Sequence, residues 1–167
     1  MRIIGIDPGY AIVGFGVVDY IDGKFSVKDF GAITTDKDTP FPKRLCEIYE
    51  DYCQILDTWK PDALSIERLY FTNNQKTGID VAQARGIIIM AAAQRDIEIN
   101  EYTPLQVKQA VVGYGQAVKK QVQEMTKNIL KLTCVPKPDD TADALAMTIC
   151  HAQTSGSLLR NIKASNI

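Results

Sequence analysis

The sequence predicts one α/β domain: a five-stranded mixed sheet, an antiparallel meander of strands 1, 2 and 3 plus parallel strands, with helices on both faces. Three observations lead there. The first thirty-four residues read as three consecutive strands. The remainder alternates helix and strand, the pattern of βαβ units. The length of 167 residues, with 46% apolar and 23% charged residues, suits one domain with its own core.

The elements follow in order. Ile3 to Asp7 is a short apolar run stopped by Pro8-Gly9, a strand ending in a turn. Ile12 to Tyr20 is a Val-rich second strand. Asp22-Gly23 is a hairpin signal, and Lys24 to Thr34 alternates as the third strand. From Pro40 to Trp59 the period changes. Leu45, Ile48, Tyr49, Tyr52, Ile55, Leu56 and Trp59 recur every three or four residues, an amphipathic helix that Pro61 ends. Asp62 to Ile66 is the fourth strand. Thr72-Asn73-Asn74 offers capping for a helix running to about Arg95. Its segment Gly86 to Ala93 is apolar all round and is expected to be buried on more than one side. Ile97 to Tyr102 is the fifth strand. Pro104 opens a helix ending near Gly113, and Val118 to Leu132 is the next helix. Asp139 or Asp140 caps a last helix through about Gln153. Residues 1–154 thus form the domain, and 155–167 a polar, weakly patterned tail.

Several classes drop out. No apolar run approaches the roughly 20 residues that span a bilayer, and the apolar start is too short for a signal peptide. No membrane partner is expected, and the expected location is the cytoplasm. Cys46, Cys53, Cys134 and Cys150 show no Cys-x-x-Cys spacing and read as reduced core thiols. His151 stands alone, so zinc is not supported and the residue reads as packing or surface. Trp59 belongs to the first helix's core stripe. Gly9, Gly14 and Gly16 lack the Lys-Ser/Thr of a phosphate loop.

Net charge is −1, so any anionic macromolecule must be met by a local basic region. Residues 101–135 provide one, with Lys108, Lys119, Lys120, Lys127 and Lys131 against Glu101 and Glu124. A solvated helix face is the plainer reading of the same charges.

The acids are more informative. Asp7 ends the first strand on the face shared with Ile3 and Gly5, and Glu67 ends the fourth on the face shared with Ala63 and Ser65. Open α/β sheets place ligand crevices at such strand ends. Asp140 and Asp143, three apart, share one face of a small-residue helix. Each acid alone has an ordinary reading as turn, strand-end or cap residue. Crowded together they repel one another without a cation, which makes the group a metal-site candidate. Two hard cations about 3.5–4 Å apart suit hydrolysis of a phosphodiester. Mg²⁺ prefers carboxylates with water and phosphate. Asp7 and Glu67 are the expected central ligands and Asp140 the third. Asp143 is the fourth, direct or through water, with Asp139 a cap or bystander.

The chain resembles the bacterial RuvC family of Holliday-junction resolvases, of the RNase H-like superfamily, over about residues 1–153. The resemblance rests on Gly5-Ile6-Asp7-Pro8-Gly9, Ile66-Glu67, Gln83-Ala84-Arg85-Gly86, Tyr102-Thr103-Pro104 with Val107-Lys108, Gly113-Tyr114-Gly115 with Lys119, and Asp140-Thr141-Ala142-Asp143-Ala144-Leu145-Ala146. No piece is specific alone; their order along one short chain is. The resemblance implies an RNase H-like fold and a homodimer that binds four-way junction DNA and nicks two strands symmetrically. Asp7, Glu67, Asp140 and Asp143 match the family's catalytic acids, with two Mg²⁺ per site and Mn²⁺ as a substitute. Metal-activated water leaves 5′-phosphate and 3′-hydroxyl ends, and the RuvA–RuvB branch-migration complex is the implied partner. Lys108 and Lys119 match lysines near the scissile phosphate. Tyr70, or the adjacent Phe71, matches a stacking aromatic, and Arg85 is a further implied DNA contact. The apolar helix around Ile87 to Ala93 is expected near the dimer surface.

Two other readings compete. A sugar-kinase or actin-like ATPase is suggested by Asp7-Pro8-Gly9 with Gly14, but such proteins close two similar domains over nucleotide, more than 167 residues hold. A catalytically silent junction-binding protein is the other, and four intact acids argue against it.

Overall fold

The computed structural model describes the backbone of residues 1–69 and 75–165 and the side chains of 1–69 and 78–156. Tyr70, Phe71 and the expected cap at residues 72–74 lie outside the described residues.

The three opening strands are β1 (Arg2–Asp7), β2 (Ile12–Ile21) and β3 (Lys24–Thr34). Asp22 and Gly23 join β2 to β3 with positive φ at both positions, the tight hairpin that this dipeptide favours. Then follow α1 (Phe41–Trp59), β4 (Ala63–Glu67), α2 (Gln75–Ala93), β5 (Glu98–Tyr102), α3 (Pro104–Val112), α4 (Lys119–Ile129) and α5 (Asp139–Ser165). The sheet order is β3-β2-β1-β4-β5. β1, β2 and β3 pair antiparallel, while β4 is parallel to both β1 and β5. The expected mixed sheet is therefore present.

Strand alternation divides the core in two. Ile4, Ile6, Val13, Val17, Leu64 and Ile66 pack against Ile48, Tyr52 and Leu56 of α1 and Ala84, Ile88 and Ala91 of α2. On the opposite face Val18 and Tyr102 pack with Leu145 and Ile149 of α5 and with Val107 and Val122 of α3 and α4. Burial of such side chains is the main stabilising term on both faces.

Close packing of α5 depends on missing side chains. A Cβ on Gly5 would stand 2.1 Å from the Ala144 carbonyl oxygen, and one on Gly14 would stand 2.0 Å from that of Asp140. A Cβ on Gly16 would press into Leu145 at 2.6 Å. These three glycines occupy neighbouring positions, since Gly5 pairs with Gly16 and Asp7 with Gly14. They let the helix backbone settle directly on β1 and β2. Ser65 of β4 then donates to the Met147 carbonyl at 2.7 Å, fixing the helix's other side.

Four expectations need correction. First, the last helix does not stop near Gln153 but runs to Ser165. The Thr154 and Ser155 hydroxyls donate back to the Cys150 and His151 carbonyls, so polar residues that read as a break are absorbed by the helix. Second, α2 is covered on one side only. Ile79 is 52% and Met90 45% exposed. Third, Cys150 is buried, but Cys46 and Cys134 are exposed and Cys53 is intermediate. Position on the helix sets the burial of Cys46, Cys53 and Cys150, and Cys134 lies in the segment between α4 and α5. Fourth, Trp59 sits at the margin of the core, its indole N–H donating to Asp29 at 3.0 Å. His151 is a packing residue, buried with its Nδ1 2.8 Å from the Tyr102 hydroxyl.

Candidate active site

The β1–β4 ladder runs in register through Ile6 opposite Ile66. Asp7 and Glu67 are the next residues of these two parallel strands, and adjacent strands lie about 4.8 Å apart. Period-two alternation sends both side chains toward α5. The backbone alone therefore sets two carboxylates side by side.

α5 supplies the others. Its first turn crosses β2, where Asp140 lies over Gly14. One turn later Ala144 lies over Gly5 of β1, and Met147 reaches β4. Asp143 thus comes down near the Asp7–Glu67 pair, while Asp140 stays toward the β2 side. Asp7, Glu67 and Asp143 line one cavity of about 210 Å³, and Asp140 is not among its lining residues. The helix acid that lines the cavity is Asp143, while Asp140 acts on Asp7 through its charge. The reason is the path of α5 across the sheet, which residue spacing does not report.

Two ammonium groups enter the same cavity, Lys108 from α3 and Lys119 from α4. Thr103 caps α3 by accepting from the Gln106 N–H, and Gln106 returns the bond to the Thr103 N–H. Pro104 occupies the first turn. Lys119 opens α4, where the helix dipole disfavours a cation. Its position is explained across the cavity, where Lys119 Nζ lies 2.8 Å from Asp143 and 3.8 Å from Asp139. Val107, Val122 and Met147 form the apolar wall behind the charges.

Electrostatics mark the acids as a strained group. Burial, then the negative charges of Asp143, Glu67 and Asp140, push Asp7 up to about 8. Burial and Asp143 raise Glu67. Burial also raises Asp143, against the opposing hydrogen bond from Lys119. Asp143 in turn raises the Lys119 ammonium. Three neighbouring oxygen donors with unfavourable mutual charge fit a hard divalent cation. Among the described residues, no group of three or more acidic, His or Cys side chains is closed enough to hold an ion unaided.

The remaining assignments divide. Tyr70 lies outside the described residues. Arg85 is turned away from the cavity. Its Nε donates to the Glu67 carbonyl at 3.1 Å, and its Nη2 pairs with Glu101. Arg44 of α1 also supports the site; it is buried and, among the described residues, has no acid partner. Its Nη2 donates to the Tyr10 carbonyl at 3.1 Å, its Nε to Thr35 Oγ1 at 2.8 Å, and it lies 4.8 Å from the Tyr10 ring centre. Thr35 donates to the same carbonyl at 2.7 Å. Together they hold the turn that follows Asp7. An arginine within an otherwise apolar helix stripe was the available signal.

Known proteins are similar to this chain over most of its length. The family model described as crossover junction endodeoxyribonuclease RuvC matches residues 3–151. The protein of that name from Ruminiclostridium cellulolyticum is 53% identical over 163 residues, covering 96% of this chain and 98% of the relative. Its namesake from Brevibacillus brevis is 54% identical over 153 residues, 92% of each chain. The structure of Thermus thermophilus RuvC in complex with a Holliday junction substrate superposes with a TM-score of 0.86 at 33% identity, covering 91% of this chain and 93% of that one. An RNase H-like sheet and a family match over most of its length agree: the chain belongs to the crossover junction endodeoxyribonuclease RuvC family.

Proposed function

We propose that this chain is a metal-dependent endonuclease that resolves four-way DNA junctions by paired symmetric nicks. The observation that carries the reading is the convergence of Asp7, Glu67 and Asp143 with Lys108 and Lys119 in one cavity, in a chain of this family. Asp7, Glu67 and Asp143 would hold Mg²⁺, two ions per site with Mn²⁺ as a substitute, and Asp140 would act at the rim. When bound, such ions activate water and stabilise the leaving oxygen.

The chain's own residues do the rest. Asp7 must shed the proton that burial favours before it can act as a ligand, so ion binding is coupled to pH. Lys119 exchanges Asp143 for a phosphate oxygen, and Lys108 neutralises phosphate from the other side. The apolar wall of Val107, Val122 and Met147 limits water at the site. Water oxygen bonds to phosphorus and the bond to the 3′ oxygen breaks, leaving a 5′-phosphate and a 3′-hydroxyl. Tyr70 stacks on a base near the junction centre.

Paired cuts require two sites. We place the homodimer contact on the uncovered face of α2, where Ile79 and Met90 are exposed. The RuvA–RuvB branch-migration complex as partner and a cytoplasmic location belong to the same reading. No helix among the described residues is long and apolar enough to cross a membrane.

A synthetic four-way junction with Mg²⁺ tests this. Wild-type protein is expected to give paired nicks. Asp7→Asn should lower the rate by at least about 10³-fold, roughly 4 kcal/mol of transition-state stabilisation, while junction binding survives. Binding without cutting by the wild type, or cuts never paired, contradicts the proposal.

A further inference from the structure

We propose that Arg85 is a positioning residue for Glu67, acting from the far face of the sheet with Glu101 as its counter-ion. The inference rests on the metal-dependent reading of the site.

Glu67 stands where a strand end is least supported. Its neighbour Ile66 is the last β4 residue paired with β1. Glu67 itself is paired only on the β5 side, with Tyr102, and burial and Asp143 both disfavour its charged carboxylate. Crowding of Asp7, Glu67 and Asp143 at one end of the sheet disfavours their charged forms together. A group that fixes the Glu67 backbone for ion binding must do so without entering the cavity.

Arg85 meets this condition. It rises from α2, on the side of the sheet opposite α5, and its side chain is 14% exposed. Its Nε donates to the backbone carbonyl of Glu67 itself. Its Nη2 pairs with Glu101, the β5 residue opposite Ile66 in register. The same Glu101 carboxylate lies 3.6 Å from Arg68, the residue after Glu67. The Arg68 backbone N–H donates to the Tyr102 carbonyl at 2.8 Å. One carboxylate thus reaches the residue following Glu67 directly and the Glu67 carbonyl through the guanidinium. A fork of fixed shape is needed, because two donors must serve two acceptors on different strands. The side chain of Glu67 is left free to face the cavity.

Three measurements on Arg85→Lys, Arg85→Met and Glu101→Gln separate this role from a DNA contact. They are junction affinity in EDTA, the thermal midpoint without metal, and the Mn²⁺ concentration giving half-maximal nicking. Positioning predicts EDTA affinity within about twofold of wild type and a midpoint within a few degrees. It predicts a half-maximal Mn²⁺ concentration raised about 10-fold or more, the usual cost of losing a group that orients a ligand. Arg85→Lys keeps the charge but loses the fork, so it should behave like Arg85→Met. The proposal is overturned if Arg85→Met weakens EDTA binding and Arg85→Lys restores it, the signature of a phosphate contact. It is equally overturned if the Mn²⁺ requirement stays at the wild-type value in all three. Wild-type nicking that needs no divalent ion overturns the metal reading together with this one.

Discussion

The strand half and the helix half of the site are positioned by different means. Asp7 and Glu67 are set by the β1–β4 ladder, and groups behind the sheet reinforce them. Arg44 and Thr35 converge on the Tyr10 carbonyl after Asp7, and Arg85 on the Glu67 carbonyl. Asp140 and Asp143 have no ladder. Their height above the sheet is set by Gly5, Gly14 and Gly16, and their place along it by the crossing path of α5. One half is held by a strand ladder; the other depends on the absence of three side chains, with the Ser65–Met147 and Thr141–Gly31 hydrogen bonds tying the helix down. A helix–sheet contact is therefore the more fragile part of the site.

The largest effect should come from filling that contact. Gly5→Val places atoms against the Ala144 backbone, which cannot rotate away. We expect about 3 kcal/mol or more of destabilisation and loss of measurable nicking, read by thermal melts and the junction assay. Near-normal cleavage with α5 lifted would show that the helix acids are dispensable.

A sharper comparison lies within the helix. Asp143→Asn should raise the Mg²⁺ requirement by about 10–100-fold, and Asp140→Asn by clearly less, because only Asp143 lines the cavity. Metal titrations of cleavage decide it; an equal or reversed order would mean that α5 shifts when substrate and ions bind.

The smallest effect probes the strand half without metal. Folded Asp7 keeps its proton to about pH 8, whereas an unfolded aspartate loses it near pH 4. Between those values the unfolded chain binds fewer protons, so this group's contribution to stability falls as pH rises. Asp7→Asn removes the penalty. In EDTA its thermal midpoint should exceed that of wild type by several degrees at pH 8, at about 2–4 °C per kcal/mol. The gap should shrink toward pH 5. A constant gap across that range would remove the charge crowding from the account.

Much of this was legible beforehand, for identifiable reasons. Asp7 and Glu67 were readable because alternation and strand ends are local properties. Lys108 and Lys119 came from resemblance, and the misplaced cation at the start of α4 is the physical sign that agrees with it. Arg85 as a DNA contact is what the resemblance implies; its hydrogen bond to the Glu67 carbonyl was not legible, because a side chain's direction is not visible in sequence. Gly5, Gly14 and Gly16 carried no signal of a helix contact, since a glycine's meaning there lies in what approaches it from the far end of the chain, Ala144, Asp140 and Leu145. The extension of α5 past Gln153 escaped because hydroxyls at Thr154 and Ser155 can break a helix or bond back into it, and context chooses.

The sequence by itself determined the element order, the mixed sheet and the two strand-end acids, because periodicity and turn chemistry act between near neighbours. Only the tertiary structure decided which helix acid joins them, which lysine meets it, and which arginine stays behind the sheet. Those outcomes depend on the angle and closeness at which α5 crosses β2, β1 and β4, set by packing between residues far apart in the chain.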